Sequence, residues 1–195
     1  MSAIAPIGFL VLAAGHARRF GRCKLTARLT PVQTVLGQVL DHIAPVGAPV
    51  CVVTSEAKLG VLALAERKRV GVIKMPIDSS GLGESIAYGV AATQHWAGWI
   101  VCLGDMPWID TSLYQRVWQL SCIGTAKQVA PIIGERRGHP VFFDKTYVHA
   151  LRGLTGDSGA ASLIDDRALM TFKAGDQAAL RDVDTPADLR CIDKP

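Results

Sequence analysis

A small-residue loop followed by a cluster of cations is the first feature of this sequence that could do chemistry. In VLAAGHARRFGRCKL, residues 11–25, an apolar run ends at Ala13–Gly15, and four cations follow: Arg18, Arg19, Arg22 and Lys24. Small residues let backbone amides approach a ligand closely, and amides exposed in such a turn bind anions. Arg19 offers a fork to phosphate oxygens, and Lys24 offers a point charge. We therefore predict a phosphate-binding loop; the alternative is a turn with solubilising cations.

A carboxylate follows a second apolar run. Asp105 lies in the sequence LGDMP, directly after the apolar segment Trp99–Leu103. In an open parallel sheet, ligands bind beyond the carboxyl ends of the strands, so we expect Asp105 at the same edge as the first loop. Mg²⁺ prefers one or two carboxylates together with phosphate oxygens and water. We predict that Asp105 binds Mg²⁺; a helix cap or a turn is the alternative.

Three later segments carry polar residues whose roles residue type alone does not decide. They are GHPV at 138–141, GDSGA at 156–160 and DVDTP at 182–186. Taken singly, His139 fits a turn or core histidine, and Asp157 and Asp184 fit helix caps. The order of these segments along the chain is more informative about function than any one of them.

Nearly continuous apolar runs alternate with helical patterns through much of the chain. Such runs are typical of strands buried on both faces of a parallel sheet. We predict strands at Gly8–Leu12, Val50–Thr54, Val70–Lys74, Trp99–Leu103 and Gln128–Pro131. Helical spacing predicts helices at Thr34–Ile43, Ser85–Trp96 (with a serine cap) and Thr111–Leu120. The alternation predicts an α/β fold, a Rossmann-like, doubly wound, mostly parallel sheet in a single domain over residues 1–195.

The pattern after residue 133 is less regular. GERRGHPVFF predicts a turn that enters a short strand, and Asp157–Ile164 predicts a helix. The tail DVDTPADL, residues 182–189, predicts the end of a short strand and then a final helix with Pro186 in its first turn. The charged run Glu66–Arg69 is interpreted as the solvated end of a helix, with a polyanion site as the alternative.

Composition and charge argue against several classes of protein. Hydrophobic residues make up 49% of the 195-residue chain and charged residues 19%, which argues against disorder. A formal net charge of +4 suits an anionic small molecule but is too diffuse to indicate a nucleic-acid surface. The five cysteines lack metal-site spacing, and the apolar start of the chain is too short to span a membrane. We expect a soluble cytoplasmic protein with reduced thiols that binds neither nucleic acid nor membrane.

Six ordered blocks carry a resemblance to a known family. They are LAAGxxxRFGxxKL at 12–25, GLGESIAYG at 81–89, GDMP at 104–107, GHPVFF at 138–143, GDSGA at 156–160 and DVDTPADL at 182–189. In this order they resemble the molybdenum-cofactor nucleotidyltransferases, the MobA-like family that holds molybdenum cofactor cytidylyltransferase and its guanylyl counterpart. The resemblance implies a fold like the nucleotide-diphospho-sugar transferases. It also implies a Mg²⁺-dependent transfer of CMP from CTP to the terminal phosphate of molybdopterin, with release of pyrophosphate.

The resemblance assigns roles on the nucleotide side of the site. It implies that Arg19 and Lys24 bind the triphosphate and that Asp105 holds Mg²⁺, these three being the catalytic residues. Asp184 would complete the metal site. The residues implied to cradle the nucleotide, its base and its ribose are Leu12, Ala13, Ala14, Gly15, Gly81, Gly83 and Ser85.

The resemblance also bears on the acceptor and on the choice of nucleotide. It implies that His139, Asp157 and Gly159 contact the acceptor. Ala14 and Gly104 resemble the cytidylyl branch of the family, and they favour CTP while leaving GTP open. A molybdoenzyme that receives the product is the partner implied.

Two alternatives stay open. Within the same chemistry, GMP could be the transferred group, or the acceptor could be another phosphorylated molecule. In a different class, the chain could be a catalytically inactive module that binds molybdenum cofactor and hands it to a partner enzyme. Pyrophosphate release in the presence of the acceptor separates catalysis from the binding module.

Overall fold

The apolar runs of the sequence form a mixed sheet with helices on both faces. The computed structural model describes residues 5–15, 20, 23–76, 79–175 and 177–189, and within these ranges the sheet has eight strands. The strands are β1 (Ile7–Leu12), β2 (Val50–Ser55), β3 (Gly71–Met75), β4 (Gly98–Leu103), β5 (Gln128–Ile133), β6 (Arg136–Arg137), β7 (Val141–Asp144) and β8 (Leu169–Lys173). The helices are α1 (Val35–Ile43), α2 (Leu59–Arg67), α3 (Leu82–Ala92), α4 (Thr111–Cys122) and α5 (Val148–Arg152).

The strand order confirms the predicted α/β fold with a mostly parallel sheet. The order is β3-β2-β1-β4-β7-β5-β6, and β8 pairs with β5. Strands β3, β2, β1 and β4 run parallel, as do β5 and β8, whereas β7 is antiparallel to both of its neighbours. Leu12 at the end of β1 pairs with Leu103 at the end of β4. The loops that follow these two strands therefore begin side by side.

Burial on both faces of the sheet explains the continuous apolar runs. Along β1, Phe9 and Val11 belong to one buried cluster, and Leu10 and Leu12 belong to another. Helices α1, α2 and α4 contribute to the first cluster, and α3 and α5 contribute to the second. Because successive side chains of a strand point to opposite faces, a strand covered on both sides has no polar face.

The five predicted strands are all present, with ends that shift by at most two residues. Helix α1 begins after Thr34, whose hydroxyl accepts from the Gly37 amide at 3.1 Å. Helix α4 begins after Asp110, whose carboxylate accepts from the Leu113 amide at 2.9 Å. The predicted turn lies at residues 134–135, before β6, and the predicted short strand appears as β7. The charged run Glu66–Arg69 lies at the end of α2.

Helix α3 corrects one prediction. It begins at Leu82 and ends at Ala92, whereas the apolar pattern predicted Ser85–Trp96. Ser85 is not the cap: it lies in the first helical turn, and its hydroxyl donates to the Gly81 carbonyl at 3.4 Å. The helix stops early because the backbone leaves the helical conformation at Thr93 (φ −115°, ψ 27°). The Thr93 hydroxyl donates to the Gly89 carbonyl at 2.7 Å and accepts from the Trp99 indole, which ties this end of the helix to β4.

The C-terminal third corrects two further predictions. Only a 3₁₀ turn, Ala160–Leu163, forms within the predicted helix Asp157–Ile164, because a tight loop around Gly156 (φ 53°) occupies its first half. The described tail forms no strand at residues 182–184, and the end of the predicted final helix lies outside the described residues. Strand β8 and helix α5 were not predicted. Within the described ranges, no helix is long and apolar enough to cross a membrane.

Candidate active site

Two loops lie side by side at the carboxyl edge of the parallel strands. The Gly104 amide donates to the Leu12 carbonyl at 3.0 Å, and the Ala13 amide donates to the Val53 carbonyl at 2.8 Å. A Cβ atom at Gly104 would lie 2.9 Å from the Leu12 oxygen, so a larger residue there would force the two loops apart. Asp105 and the loop after β1 are thereby held next to each other.

Lys24 joins the two carboxylates that the resemblance assigns to the metal. It begins a 3₁₀ turn, Lys24–Thr26, whose Leu25 side chain is buried. The Lys24 ammonium lies 2.7 Å from Asp105 Oδ2 and 3.0 Å from Asp184 Oδ1. Asp184 comes from the tail, which is anchored by the Val183 amide donating to the Asp105 carbonyl at 2.8 Å. Three predicted site residues, far apart in the sequence, therefore meet at one point.

The electrostatics of this cluster keep Lys24 charged. Burial lowers the pKa of Lys24, but the charges and hydrogen bonds of Asp105 and Asp184 outweigh burial and raise the pKa above its ordinary value. The pKa of Asp182 is raised because this carboxyl is partly buried and faces the negative charges of Asp184 and Asp105. The negative charges of these three carboxylates repel one another, so a positive charge among them stabilises their ionised forms.

A cleft of about 350 Å³ opens beside Lys24. Six of the residues predicted to bind the nucleotide line it, namely Leu12, Ala13, Gly15, Lys24, Gly81 and Ser85. Asp105 and Asp157 line it as well. Ala14 and Gly83 are buried behind its wall, and Arg19 lies outside the described residues. Most of the predicted nucleotide-side residues that the structure describes are therefore brought to one cleft.

Close packing of two backbone segments explains the glycines at the start of α3. The Gly83 amide donates to the Gly156 carbonyl at 2.9 Å. A Cβ at Gly81 would lie 2.3 Å from the Gly156 carbonyl oxygen, and one at Gly83 would lie 2.5 Å from the Ser158 oxygen. The GLGES and GDSGA blocks therefore form one unit. This packing places Asp157 in the first cleft, among residues predicted to bind the nucleotide, and the acceptor contact that the resemblance implies for Asp157 stays a prediction.

We expect Gly83→Ala to destabilise the protein by about 1–3 kcal/mol, because the new Cβ overlaps the Ser158 carbonyl and the backbone must move. The melting temperature should fall by about 2–4 °C for each kcal/mol. Gly175→Ala is the matched control, since no atom lies within 4 Å of a Cβ built there. Equal melting temperatures for the two variants would contradict the packing role of Gly83.

A second cavity of about 710 Å³ adjoins the first. Leu82 and Leu103 line both, so the two meet near the end of β4, beside Asp105. His139 and Gly159, two of the three residues predicted to contact the acceptor, line the second cavity. Most of its other lining residues are apolar, and its exposed charged residues are Glu135, Arg136, Arg137 and Asp166. The cavity can hold a molecule larger than a phosphate ion.

His139 carries a buried polar atom without a described partner. Its amide donates to the Ala179 carbonyl at 2.9 Å, which fixes the backbone. Its Nδ1 atom is buried and makes no hydrogen bond to any described residue. Burial lowers the pKa of His139, and the negative charge of Asp105 offsets this lowering only in part. The imidazole is therefore neutral at pH 7, with a ring nitrogen that a bound molecule could satisfy.

The lowered pKa of His139 predicts a loss of stability in acid. The unfolded chain protonates this histidine near its ordinary pKa of about 6.5, whereas the folded chain resists protonation until lower pH. The contribution of His139 to stability is complete above about pH 6.5 and is lost as the pH falls through the lower folded value. Between about pH 7 and pH 5, the urea midpoint should therefore fall further for the unsubstituted protein than for His139→Gln.

The control for this pH dependence is His149→Gln, which removes an exposed histidine. It should keep the full acid sensitivity of the unsubstituted protein. An equal fall of the midpoint in His139→Gln and His149→Gln would show that burial of His139 is not the cause.

The donor set at Lys24 fits a magnesium or manganese ion that is shared with a phosphate. Carboxylate oxygens of Asp105 and Asp184 converge on one point, as their distances to Lys24 Nζ show. Within the part of the chain that the structure describes, no group of three or more His, Cys, Asp or Glu side chains could hold a metal ion. Mg²⁺ commonly takes one or two carboxylates and completes its shell with substrate phosphates and water. Two carboxylates therefore suffice.

Two features of the site were not singled out from the sequence. Asp182 joins the carboxylate group, and the hairpin residues Glu135–Arg137 line the second cavity. Arg137 pairs with Asp166 at 3.1 Å. Both features adjoin or lie within recognised blocks, since the hairpin directly precedes GHPVFF and Asp182 begins DVDTPADL. Their position in or beside these blocks is the sequence signal that could have identified these residues.

Comparisons with known proteins bear on both the family and the fold. The model of the MobA-like NTP transferase domain matches residues 9–172. The purine catabolism protein PucB of Bacillus subtilis (strain 168) is 27% identical over 194 residues, which covers 91% of each chain. Both matches extend over most of the sequence.

Solved structures share the architecture. Rv0371c from Mycobacterium tuberculosis H37Rv matches with a TM-score of 0.81 at 24% identity, covering 96% of this chain and 97% of that chain. Its complex with manganese matches with a TM-score of 0.77 at 24% identity, covering 95% and 96%. A homolog from Mycobacterium sp. strain JC1 matches with a TM-score of 0.79 at 26% identity, covering 93% and 92%. The fold of the sheet and its helices is thus common to all three.

Proposed function

This chain is a nucleotidyltransferase of the MobA-like NTP transferase domain family, and from that premise we propose that it transfers CMP from CTP to the terminal phosphate of molybdopterin. The observation that carries the proposal is the meeting of two cavities beside Asp105. The smaller cleft, which holds Lys24, would receive the nucleotide. The larger cavity, which holds His139 and Gly159, would receive the acceptor.

The proposed reaction needs positioning and charge neutralisation more than it needs a protein nucleophile. An oxygen of the acceptor phosphate forms a bond to the α-phosphorus of CTP, and the bond from that phosphorus to the bridging oxygen of the β-phosphate breaks. Pyrophosphate leaves with the electron pair. A phosphate monoester is largely ionised near neutral pH, so no strong general base is required. Lys24 and Arg19 would bind the triphosphate and neutralise its charge.

Asp105 and Asp184 would hold the divalent cation of this reaction. When bound, Mg²⁺ neutralises charge on the triphosphate and so stabilises the departing pyrophosphate. The manganese complex of Rv0371c, a protein of the same fold, supports a divalent-cation requirement. The choice of Mg²⁺ rests on the donor set, since two carboxylates with phosphate oxygens suit that ion.

The choice of CTP rests on the resemblance of Ala14 and Gly104 to the cytidylyl branch. Ala14 is fully buried, and Gly104 packs against the Leu12 carbonyl. These two residues would therefore select the nucleotide through the shape of the loop backbone, without side-chain contacts to the base. Molybdopterin as acceptor, and a molybdoenzyme as receiver of the product, rest on the resemblance as well.

Pyrophosphate release tests this function directly. The protein would be incubated with Mg²⁺, molybdopterin and each of CTP, GTP, ATP and UTP. Release with CTP that depends on molybdopterin supports the proposal, and release with GTP alone assigns the chain to the guanylyl branch. Nucleotide at about 100 times its Kd should stabilise the protein by about 2.7 kcal/mol, which a thermal shift detects. No release together with no thermal shift for any nucleotide would favour the inactive binding module.

A further inference from the structure

The ammonium of Lys24 lies where the proposed metal would have to bind. It is 2.7 Å from Asp105 Oδ2 and 3.0 Å from Asp184 Oδ1, and its side chain is only 17% exposed. A Mg²⁺ ion would need the same oxygens at about 2.0–2.1 Å. Because two cations repel at such short range, Lys24 and the ion cannot both hold these oxygens in this arrangement.

The backbone of Lys24 is anchored, while its side chain has room to reorient. Leu25 is buried in the core, and the Thr26 hydroxyl donates to the Cys23 carbonyl at 3.2 Å. The four-carbon stem of lysine rotates freely and carries a compact charge with three donors. The cleft beside Lys24 is the proposed triphosphate site, so phosphate oxygens would offer the ammonium a second set of acceptors.

We propose that Lys24 positions Asp105 and Asp184 in the free protein by bridging them, and that it competes with the divalent cation for their oxygens until phosphates draw its ammonium away. This inference rests on the proposed function for the identity of the metal ligands, and it is independent of which nucleotide or acceptor is used.

Competition has an unusual consequence for substitution. Removing a group that only supports the site should weaken metal binding, whereas removing a competitor should strengthen it. Lys24→Met keeps the length of the apolar stem and deletes the charge. It should therefore bind Mn²⁺ more tightly than the unsubstituted protein when nucleotide is absent. Lys24→Arg retains the competing charge and should show no such gain.

The experiment is a titration of the metal alone, with free Mn²⁺ measured by electron paramagnetic resonance and no nucleotide or acceptor present. Lys24→Met is expected to lower the Kd for Mn²⁺ about tenfold, which corresponds to about 1.4 kcal/mol. The double variant Lys24→Met with Asp105→Asn should lose this gain, because it removes one of the two carboxylates. Mn²⁺ should also raise the melting temperature of Lys24→Met more than that of the unsubstituted protein.

Arg181→Met is the matched control for loss of a nearby positive charge. Arg181 is close to Asp184 in the sequence, but its guanidinium stacks over the Trp108 ring at 5.1 Å. An equal gain of Mn²⁺ affinity in Arg181→Met would overturn the proposal. The gain would then come from a general change of the electrostatic potential and not from the loss of a bridging cation. Unchanged or weaker binding by Lys24→Met would overturn it as well, and so would a gain that survives Asp105→Asn.

These outcomes are distinguishable from a failure of the proposed function. Mn²⁺ binding requires neither turnover nor the correct nucleotide, so the competition can hold even where CTP and molybdopterin prove to be the wrong substrates. Conversely, pyrophosphate release from CTP without a gain of metal affinity in Lys24→Met would leave the proposed function standing. It would reject only the bridging role of Lys24.

Discussion

Asp105→Asn should lower the rate of pyrophosphate release about a thousandfold, the scale of loss seen when a preorganised electrostatic group is removed from an active site. Asparagine has nearly the same shape as aspartate, so the Asp105 backbone carbonyl can still accept from the Val183 amide. What is lost is the negative charge 2.7 Å from the Lys24 ammonium. Without that charge, the site holds one of its two proposed metal ligands.

The measurement is kcat for pyrophosphate release over a range of Mg²⁺ concentrations. Asp110→Asn is the matched control: it makes the same change a few residues on, at the cap of α4, where asparagine caps as well as aspartate. The control should keep its activity. Mg²⁺-dependent turnover by Asp105→Asn at the rate of the control would show that Asp105 does not hold the metal.

Ala161→Trp should reduce transfer to molybdopterin about a hundredfold or more while leaving nucleotide binding intact. Ala161 is exposed and lines the second cavity, within the 3₁₀ turn Ala160–Leu163. A tryptophan side chain would fill part of the space proposed for the acceptor, and even small displacements of a reacting group from its attack position lower rates by about a hundredfold. The first cleft does not include this residue.

Two readouts separate the cavities. The thermal shift with CTP and Mg²⁺ should be unchanged in Ala161→Trp, and pyrophosphate release with molybdopterin should collapse. Ala63→Trp is the control, since Ala63 is exposed on α2 and lines neither cavity. Normal transfer by Ala161→Trp would place the acceptor elsewhere. Loss of the nucleotide shift would mean that the two cavities do not act separately.

Nearly uniform burial made three of the predicted strands easy to recognise. Strands β1, β2 and β4 are covered on both faces, so their apolar runs are continuous and easy to recognise. Strand β8 was missed because none of its residues is fully buried, which leaves no clear pattern. Helix α5 was missed because five residues are too few to show a helical period. The spacing of apolar residues in a sequence reflects how each element is buried, so an element with little burial or few residues leaves no recognisable pattern.

For the candidate site, the sequence by itself determined the residue types, their order and the edge of the sheet at which the loops after β1 and β4 lie. It could do so because the carboxyl ends of parallel strands share one edge. Only the tertiary structure decided that Lys24 bridges Asp105 and Asp184, a contact that spans 160 positions between Lys24 and Asp184. It also decided that Asp157 lines the smaller cleft, because Gly81 and Gly83 admit the Gly156–Ser158 backbone at a distance no side chain would allow. Such contacts depend on how distant segments pack, and no local period in the sequence encodes them.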